Sequence, residues 1–150
     1  MRDETKGITT RELWAKLFQA PSIEHFLEAS GGSFTMPSFA DYITELCNAR
    51  DKKPERIING AGIERSFGHR LFAGTRNPSR DTVLQLAFGF GLSPDETQQL
   101  LKVAHMTQLH PKVKRDAVIA YCLHKGASFV EAQQALHDND LPLLGGRRNG

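Results

Sequence analysis

Apolar residues recur at intervals of three and four along most of this chain, and this spacing predicts helices. No stretch alternates between apolar and polar residues in the manner of a strand. Near the start, Thr9 and Glu12 have the spacing of a capping box, and Pro21 separates one apolar stripe from the next. A glycine-rich break follows at residues 30–33. We therefore expect residues 1–33 to form an N-terminal helical hairpin and a linker.

The segment from 38 to 104 predicts five short helices, because caps and breakers divide its apolar pattern at regular intervals. Serine caps precede three of these helices, a proline opens another, and glycines stop two. The residues concerned are Ser38, Pro54, Gly74, Ser79, Gly91 and Ser93. The predicted fold class is all-α.

Residues 112–144 predict two further helices, one over residues 116–124 and one opened by a capping box at residues 128–131. We expect this pair to pack on the preceding domain or to provide a dimer surface. The apolar tail at residues 141–144 either belongs to that dimer surface or folds back onto the fifth helix of the 38–104 domain. Residues 145–150 are expected to be disordered.

Composition narrows the class of protein without naming it. The 150 residues are 39% hydrophobic and 24% charged, which is typical of a globular protein, and no apolar run is long enough for a membrane span. The N-terminus lacks the apolar segment of a signal peptide, so we expect a cytoplasmic protein without a membrane partner. The two cysteines, Cys47 and Cys122, are expected to be buried thiols rather than a disulfide.

The net charge of +2 is small, but its distribution is uneven. Residues 50–80 contain eight Lys or Arg against three acids, and no acid occurs from Arg65 through Arg80. Neutralisation of phosphates supplies most of the non-specific affinity for DNA, so a local excess of this kind fits a nucleic-acid partner. A solvated basic face is the alternative interpretation of a charge run.

The same region has the pattern of two short helices joined by a tight turn. Ala61 is small enough for the helices to approach, and Gly62 stands where the turn requires positive φ. The second helix presents polar side chains that packing does not need, namely Arg65, Ser66, His69 and Arg70. This layout is typical of a helix-turn-helix whose second helix enters the major groove of DNA.

The match extends to a sequence pattern. Residues 57–79 read I-I-x-x-A-G-I-x-x-S-x-x-x-x-L-x-x-G-x-x-x-P-S, and residues 84–92 read L-x-L-A-x-x-x-G-L. With these motifs the 38–104 segment resembles the phage-repressor-like, XRE-type helix-turn-helix regulators. The resemblance covers about 45% of the chain by length. It implies a five-helix lambda-repressor-like domain, here flanked by the N-terminal hairpin and the C-terminal helix pair.

The resemblance also implies a function and a set of contacts. It points to a sequence-specific DNA-binding transcriptional regulator, expected to be a repressor. Base edges would be contacted by Arg65, Ser66 and His69, and phosphates by Lys53, Arg70, Thr75 and Arg76. Glu64 stands where the family has Ser or Thr, and its carboxylate at a helix start could accept a hydrogen bond from a cytosine amino group.

Arg65, Gly68 and Phe67 of the second helix each have alternative interpretations. Arg65 could bind guanine or form a surface ion pair with Glu64 or Asp51. Gly68 could permit close approach of the DNA backbone or of the preceding helix. Phe67 could contact a thymine methyl group, pack beneath the N-terminal hairpin, or belong to a partner surface.

The sequence predicts no enzyme, no cofactor and no metal site. The six histidines show no ligand spacing, and Gly60-Ala61-Gly62 lacks the preceding strand of a phosphate-binding loop. The expected partner is double-stranded DNA, bound by a dimer at half-sites about 34 Å apart. The alternative function is a protein-interaction adaptor or antitoxin-like module, whose partner would bind the flanking helices.

Overall fold

A computed structural model describes residues 9–31 and 37–146. Within these ranges the secondary structure is helical, with nine α-helices and no strand, so the all-α prediction is confirmed. The helices are α1 (Thr10–Gln19), α2 (Ile23–Ala29), α3 (Phe39–Ala49), α4 (Pro54–Gly60), α5 (Arg65–Ala73), α6 (Arg80–Phe90), α7 (Pro94–Val103), α8 (Lys114–His124) and α9 (Phe129–Asp138). None of the described helices is long and apolar enough to cross a membrane.

The chain divides into two compact units, Met1–Pro37 and Ser38–Gly150. The first unit contains α1 and α2, and Phe26 is the one buried apolar side chain among its described residues. Trp14 and Phe18 stack with their ring centroids 5.5 Å apart, yet they are 55% and 76% exposed. The second unit contains α3 to α9, so the C-terminal helix pair belongs to the same compact unit as residues 38–104.

The helix starts of the second unit follow the serine caps that the sequence contains. The hydroxyl groups of Ser38, Ser79, Ser93 and Ser128 each accept a hydrogen bond from the backbone amide three residues later. One predicted start is wrong: α8 begins at Lys114 and not at residue 116, after an N-cap residue whose side chain makes no capping bond. Without a side-chain cap, the sequence offers no local signal for this boundary.

Helix α6 forms the centre of the second unit. Its side chains are buried from Thr82 through Phe88, because α4, α7 and α9 all pack against it. The approach of α4 depends on Gly89, where an added Cβ would lie 2.5 Å from the Ile57 carbonyl oxygen. The buried amide of Gln85 donates to the Ala61 carbonyl oxygen at 3.1 Å and so satisfies the C-terminal end of α4. The end of α4 is therefore fixed on α6.

The helix pairs α6–α7 and α8–α9 are an internal repeat of 35 residues, which the caps and apolar stripes of the single helices do not reveal. When residues 80–110 are aligned with 115–145, ten of the 31 positions are identical. The identical pairs are Arg80/Arg115, Asp81/Asp116, Val83/Val118, Gly91/Gly126, Ser93/Ser128, Glu96/Glu131, Gln98/Gln133, Gln99/Gln134, Leu101/Leu136 and Leu109/Leu144. Each repeat is one helical hairpin followed by a non-helical segment.

The repeated residues make the same contacts in both copies. The side-chain amide of Gln98 pairs with both backbone groups of Leu109, at 2.9 and 2.8 Å, and Gln133 pairs with Leu144 at 3.0 and 2.8 Å. A capping box opens the second helix of each hairpin. Similarity of sequence and of hydrogen bonds together establishes the repeat.

Contacts between the two repeats are reciprocal. Arg80 forms a bidentate ion pair with Asp116 at 3.1 and 2.9 Å, and Arg115 forms one with Asp81 at 2.9 and 3.0 Å. In both ion pairs, the arginine of one repeat binds the aspartate of the other. Because the contact is the same in both directions, the two hairpins are related by a local two-fold axis.

The apolar tail at residues 141–144 folds back on its own chain. Leu144 is 3% exposed and lies in the core, and the Pro142 and Leu143 carbonyl oxygens accept hydrogen bonds from Arg115 of α8. The hydrogen-bonding partners of the tail lie on α8 and α9. The fold-back alternative instead places the tail on the fifth helix of the 38–104 domain, which is α7. The physical reason is the repeat, since α9 binds Leu144 as α7 binds Leu109. The predicted disorder of residues 145–150 falls from 147 onward outside the described residues.

Candidate nucleic-acid surface

Helix α5 begins at an unusual cap. Glu64 is the N-cap residue, and its carboxylate accepts from the backbone amides of Ser66 and Phe67, both at 2.9 Å. These hydrogen bonds, aided by the positive charge of Arg70, hold the pKa of Glu64 below its ordinary value. Both carboxylate oxygens of Glu64 are therefore hydrogen-bonded to the start of α5. This is the side chain for which the sequence allows a contact to a cytosine amino group.

One side of α5 carries only side chains that packing does not use. At about 100° per residue, the exposed positions of this helix fall within an arc of roughly 140°. We call this side the exposed face of α5, and its residues are Arg65, Ser66, His69, Arg70 and Ala73. The structure thus brings all three residues predicted to contact bases onto one surface.

The other side of α5 is committed to the core. Leu71 is buried, while Phe67 and Phe72 are half-buried against the core of the second unit. Gly68 faces α4, where an added Cβ would lie 2.5 to 2.9 Å from the Ile58 side chain. Of the alternatives for Gly68, close approach to the preceding helix is therefore correct. Phe67 is a packing residue of the second unit.

Arg65 is at the first position of α5 and extends into solvent. Its Nε lies 3.2 Å from Glu55 Oε2, and both side chains are more than 60% exposed. The acid is Glu55 on α4, whereas the sequence suggests Glu64 or Asp51. An exposed pair of this kind contributes at most about 1 kcal/mol, so Arg65 can exchange this partner for another anion at little cost.

A shallow cleft of about 570 Å³ separates α4 from the start of α5. Lys53, which is predicted to contact phosphate, lies at its edge together with Arg65. Arg56 and Asn59 line the same cleft, and neither is among the site residues predicted from the sequence. Their spacing of three on α4 places them on one face of that helix, which is the signal that could have identified them.

The remaining predicted phosphate contacts lie at the far end of α5 and in the loop after it. Arg70, Thr75 and Arg76 are all exposed. The Thr75 amide donates to the Arg70 carbonyl oxygen at 3.0 Å, and its hydroxyl donates more weakly to the same oxygen at 3.4 Å. Gly74, with φ of 82°, ends the helix between them.

Two members of the basic run have structural roles. Arg50 forms an ion pair with Glu96 at 2.9 Å. Arg80 pairs with Asp116 and donates to the Thr107 and Gln108 carbonyl oxygens, so its guanidinium is held within the protein. Arg65 pairs with Glu55, and among the described residues no ion pair engages the five other basic side chains of the run. They are therefore available to bind another anion, and they are Lys52, Lys53, Arg56, Arg70 and Arg76.

Both cysteines are free and buried, and burial raises the pKa of the Cys47 and Cys122 thiols. In the described part of the chain, no group of three or more His, Cys, Asp or Glu side chains is arranged to hold a metal ion.

Comparisons with protein-family models, with curated proteins and with solved structures found no match. The exposed face of α5 and the charges around it are therefore the observations that bear on function.

Proposed function

We propose that this chain is a sequence-specific, double-stranded-DNA-binding transcriptional regulator of the XRE type that reads the major groove with the exposed face of α5. The observation that carries the proposal is this face itself. It presents Arg65, Ser66 and His69 beside exposed cations on α4 and in the loop after α5, while the rest of α5 is packed in the core. In this proposal, helices α3 to α7 correspond to the five helices of a lambda-repressor-like domain.

Arg65 is the principal base-reading residue in this proposal. At the first position of α5 its guanidinium can form two parallel hydrogen bonds to guanine O6 and N7 after it leaves Glu55. Such a bidentate contact discriminates against other bases by about 1–3 kcal/mol. Ser66 and His69 lie on the same face and contact neighbouring base edges.

The surrounding cations fix the helix on the duplex. Lys53 and Arg56 flank the start of α5, while Arg70 and Arg76 flank its end, so phosphates on both sides of the groove can be neutralised. Glu64 is a fixed negative charge at the helix start, and we propose that its repulsion of phosphate limits non-specific affinity. We expect two copies to bind one pseudo-palindromic site, which gives a higher affinity than a single copy has. Occupancy of that site would then repress transcription.

The experiment is a selection of random duplex DNA by the purified protein, repeated across a series of salt concentrations. Recovery of a motif that loses one guanine preference in the Arg65→Ala variant supports the proposal. Lys102→Ala on α7 is the matched control, since it removes an exposed basic side chain outside the exposed face of α5 and should leave the motif unchanged. Failure to retain DNA even at low salt would contradict the proposal.

The adaptor alternative has one observation in its favour. Four large apolar side chains of α1 and α2 are substantially exposed, namely Trp14, Phe18, Ile23 and Leu27. Exposed apolar clusters are typical of protein-interaction surfaces. A chain that binds no DNA but loses a protein partner on substitution of Trp14 and Phe18 by Ser would be an adaptor.

A further inference from the structure

The internal repeat gives α6 and α8 equivalent positions, but the two helices differ in what packs on them. The main helix contacts of α6 are with α4, α7 and α9, whereas those of α8 are with α7 and α9. The contacts α6–α9 and α7–α8 are counterparts under the local two-fold axis. Among the described helices, therefore, none packs on α8 as α4 packs on α6.

The face of α6 that receives α4 is identified by two contacts. The Gln85 amide donates to the Ala61 carbonyl oxygen at the end of α4, and Gly89 leaves room for the Ile57 carbonyl oxygen. Thr82 and Leu86 fall on the same face by helical spacing, and both are buried. In the first repeat this face is therefore covered by a helix.

The counterpart face of α8 is open to solvent. Tyr121 is 62% exposed, whereas its counterpart Leu86 is fully buried. His124 is exposed and replaces Gly89, so a helix on this face would lie further from α8 than α4 lies from α6. We call this side the outer face of α8, and the residues on it, 35 positions after those on α6, are Ala117, Ala120, Tyr121 and His124.

Positive charge bounds the outer face at both ends. Lys114 is the first residue of α8 and Lys125 is its C-cap residue, and neither forms an ion pair with another described residue. The ammonium group of Lys125 lies 5.6 Å from the centroid of the Tyr121 ring, so one charge is directly beside the apolar centre. The counterparts of the two lysines on the first repeat are Ser79 and Phe90, which carry no charge.

The neighbouring acids are engaged elsewhere. Asp116, the one acid of α8, is buried in its ion pair with Arg80. The Glu131 carboxylate of α9 accepts from the Ser128 amide in the capping box of its own helix. The outer face of α8 thus combines an apolar centre with basic ends.

This combination distinguishes between possible occupants. A second copy that docked α8 on α8 would bring lysines against lysines, and like charges placed together across an interface are unfavourable. Nucleic acid would neutralise the lysines but would leave the ring of Tyr121 without an apolar partner. An aromatic side chain at an apolar centre is typical of the middle of a protein interface.

We infer that the outer face of α8 is a docking site for an acidic amphipathic helix of a partner protein. The apolar stripe of that helix packs on Ala117, Ala120 and Tyr121, in the place that α4 has on α6. Its carboxylates pair with Lys114 and Lys125. The inference is independent of the proposed function, because the outer face of α8 and the exposed face of α5 share no residue.

The test is a selection of displayed random peptides of about 16 residues, long enough to form a helix, by the immobilised full chain. Enriched peptides should carry apolar residues at spacings of three and four together with Asp or Glu. The dissociation constant of an enriched peptide should rise at least about tenfold in Tyr121→Ser, because a truncated aromatic anchor removes much of the binding energy. Lys114→Glu with Lys125→Glu should weaken binding as well. Val130→Ser is the matched control, since it removes an exposed apolar side chain of α9 that lies outside this face.

The outcomes decide the inference without involving DNA binding. No enriched peptide, or enriched peptides that bind Tyr121→Ser as tightly as wild type, would overturn it. Self-association that Tyr121→Ser abolishes would assign the face to a second copy, and duplex affinity that falls in the double lysine variant would assign it to DNA; either result overturns the inference. Because Tyr121 is exposed, thermal unfolding and duplex binding of Tyr121→Ser should match wild type.

Discussion

At the scale of single residues, the chemistry of the candidate surface follows from the sequence, but the partners of its side chains do not. Arg65, Ser66 and His69 are selected by helical spacing and share one exposed face in the structure. The pairing of Arg65 with Glu55 depends on how closely α4 approaches α5, and that distance depends on Gly68. No local pattern encodes such a distance, because it results from packing between elements.

Gly68 provides a test of this packing. Gly68→Ala should destabilise the protein by about 1–3 kcal/mol, because its Cβ would lie within 2.9 Å of the branched Ile58 side chain, which is buried and has little room to move. Chemical denaturation at equilibrium measures this change in the free energy of unfolding.

Gly60→Ala is the matched control, since Gly60 lies at the end of α4 but an added Cβ would meet only Gly89, at 3.7 Å or more. Alanine is a better helix former, so this variant should be neutral or more stable by up to about 1 kcal/mol. Equal destabilisation by both substitutions would mean that α4 and α5 are not in the contact described.

At the scale of elements, serine caps and stop glycines predict most helix boundaries because their signals are local. Such local signals do not reveal the 35-residue repeat, although the dipeptides Arg80-Asp81 and Arg115-Asp116 are identical. Caps and stripes assign each helix by itself, and a repeat becomes visible only when segments are compared with one another. The predicted start of α8 is two residues late for another reason, because its N-cap residue Val113 makes no side-chain capping bond.

The reciprocal ion pairs predict an asymmetric response to two equivalent substitutions. Arg80→Met should cost about 3–5 kcal/mol, because it leaves the carboxylate of Asp116 buried without its charged partner. Arg115→Met should cost less, since the side chain of Asp81 is 28% exposed and water can solvate its charge.

Equilibrium unfolding of the two variants measures the difference. The Arg80→Met and Asp116→Asn double variant should recover part of the loss, because the uncompensated charge is then absent. Equal losses for Arg80→Met and Arg115→Met would contradict the described difference in burial.

At the scale of the whole molecule, the sequence predicts an all-α chain, and the described residues confirm this class. The chain divides into two compact units, Met1–Pro37 and Ser38–Gly150. The sequence leaves the C-terminal helix pair either packed on the preceding domain or at a dimer surface, and it could not decide between them, since α9 and the tail fill positions that only the folded second unit creates. The C-terminal pair encloses the core that supports α5, as shown by Phe129 against Gly62 in the turn before α5.

This arrangement bears on the dimer surface. The sequence suggests the C-terminal helix pair together with the tail at residues 141–144 for that role, because an apolar tail should be covered, and Leu144 is covered by its own chain. A second copy is therefore not needed to cover Leu144, although Tyr121, Val130 and Leu143 of the same region are exposed. In the first unit, the apolar side chains Trp14, Phe18, Ile23 and Leu27 of α1 and α2 are also exposed.

The central claim is that the exposed face of α5 lies in the major groove, and methylation protection at guanine N7 tests it most directly. On a selected duplex, the wild-type chain should protect guanines in each half-site, and Arg65→Ala should restore reactivity at one of them while phosphate contacts keep the complex bound. Bound DNA with every guanine N7 fully reactive would place α5 outside the groove and contradict this claim.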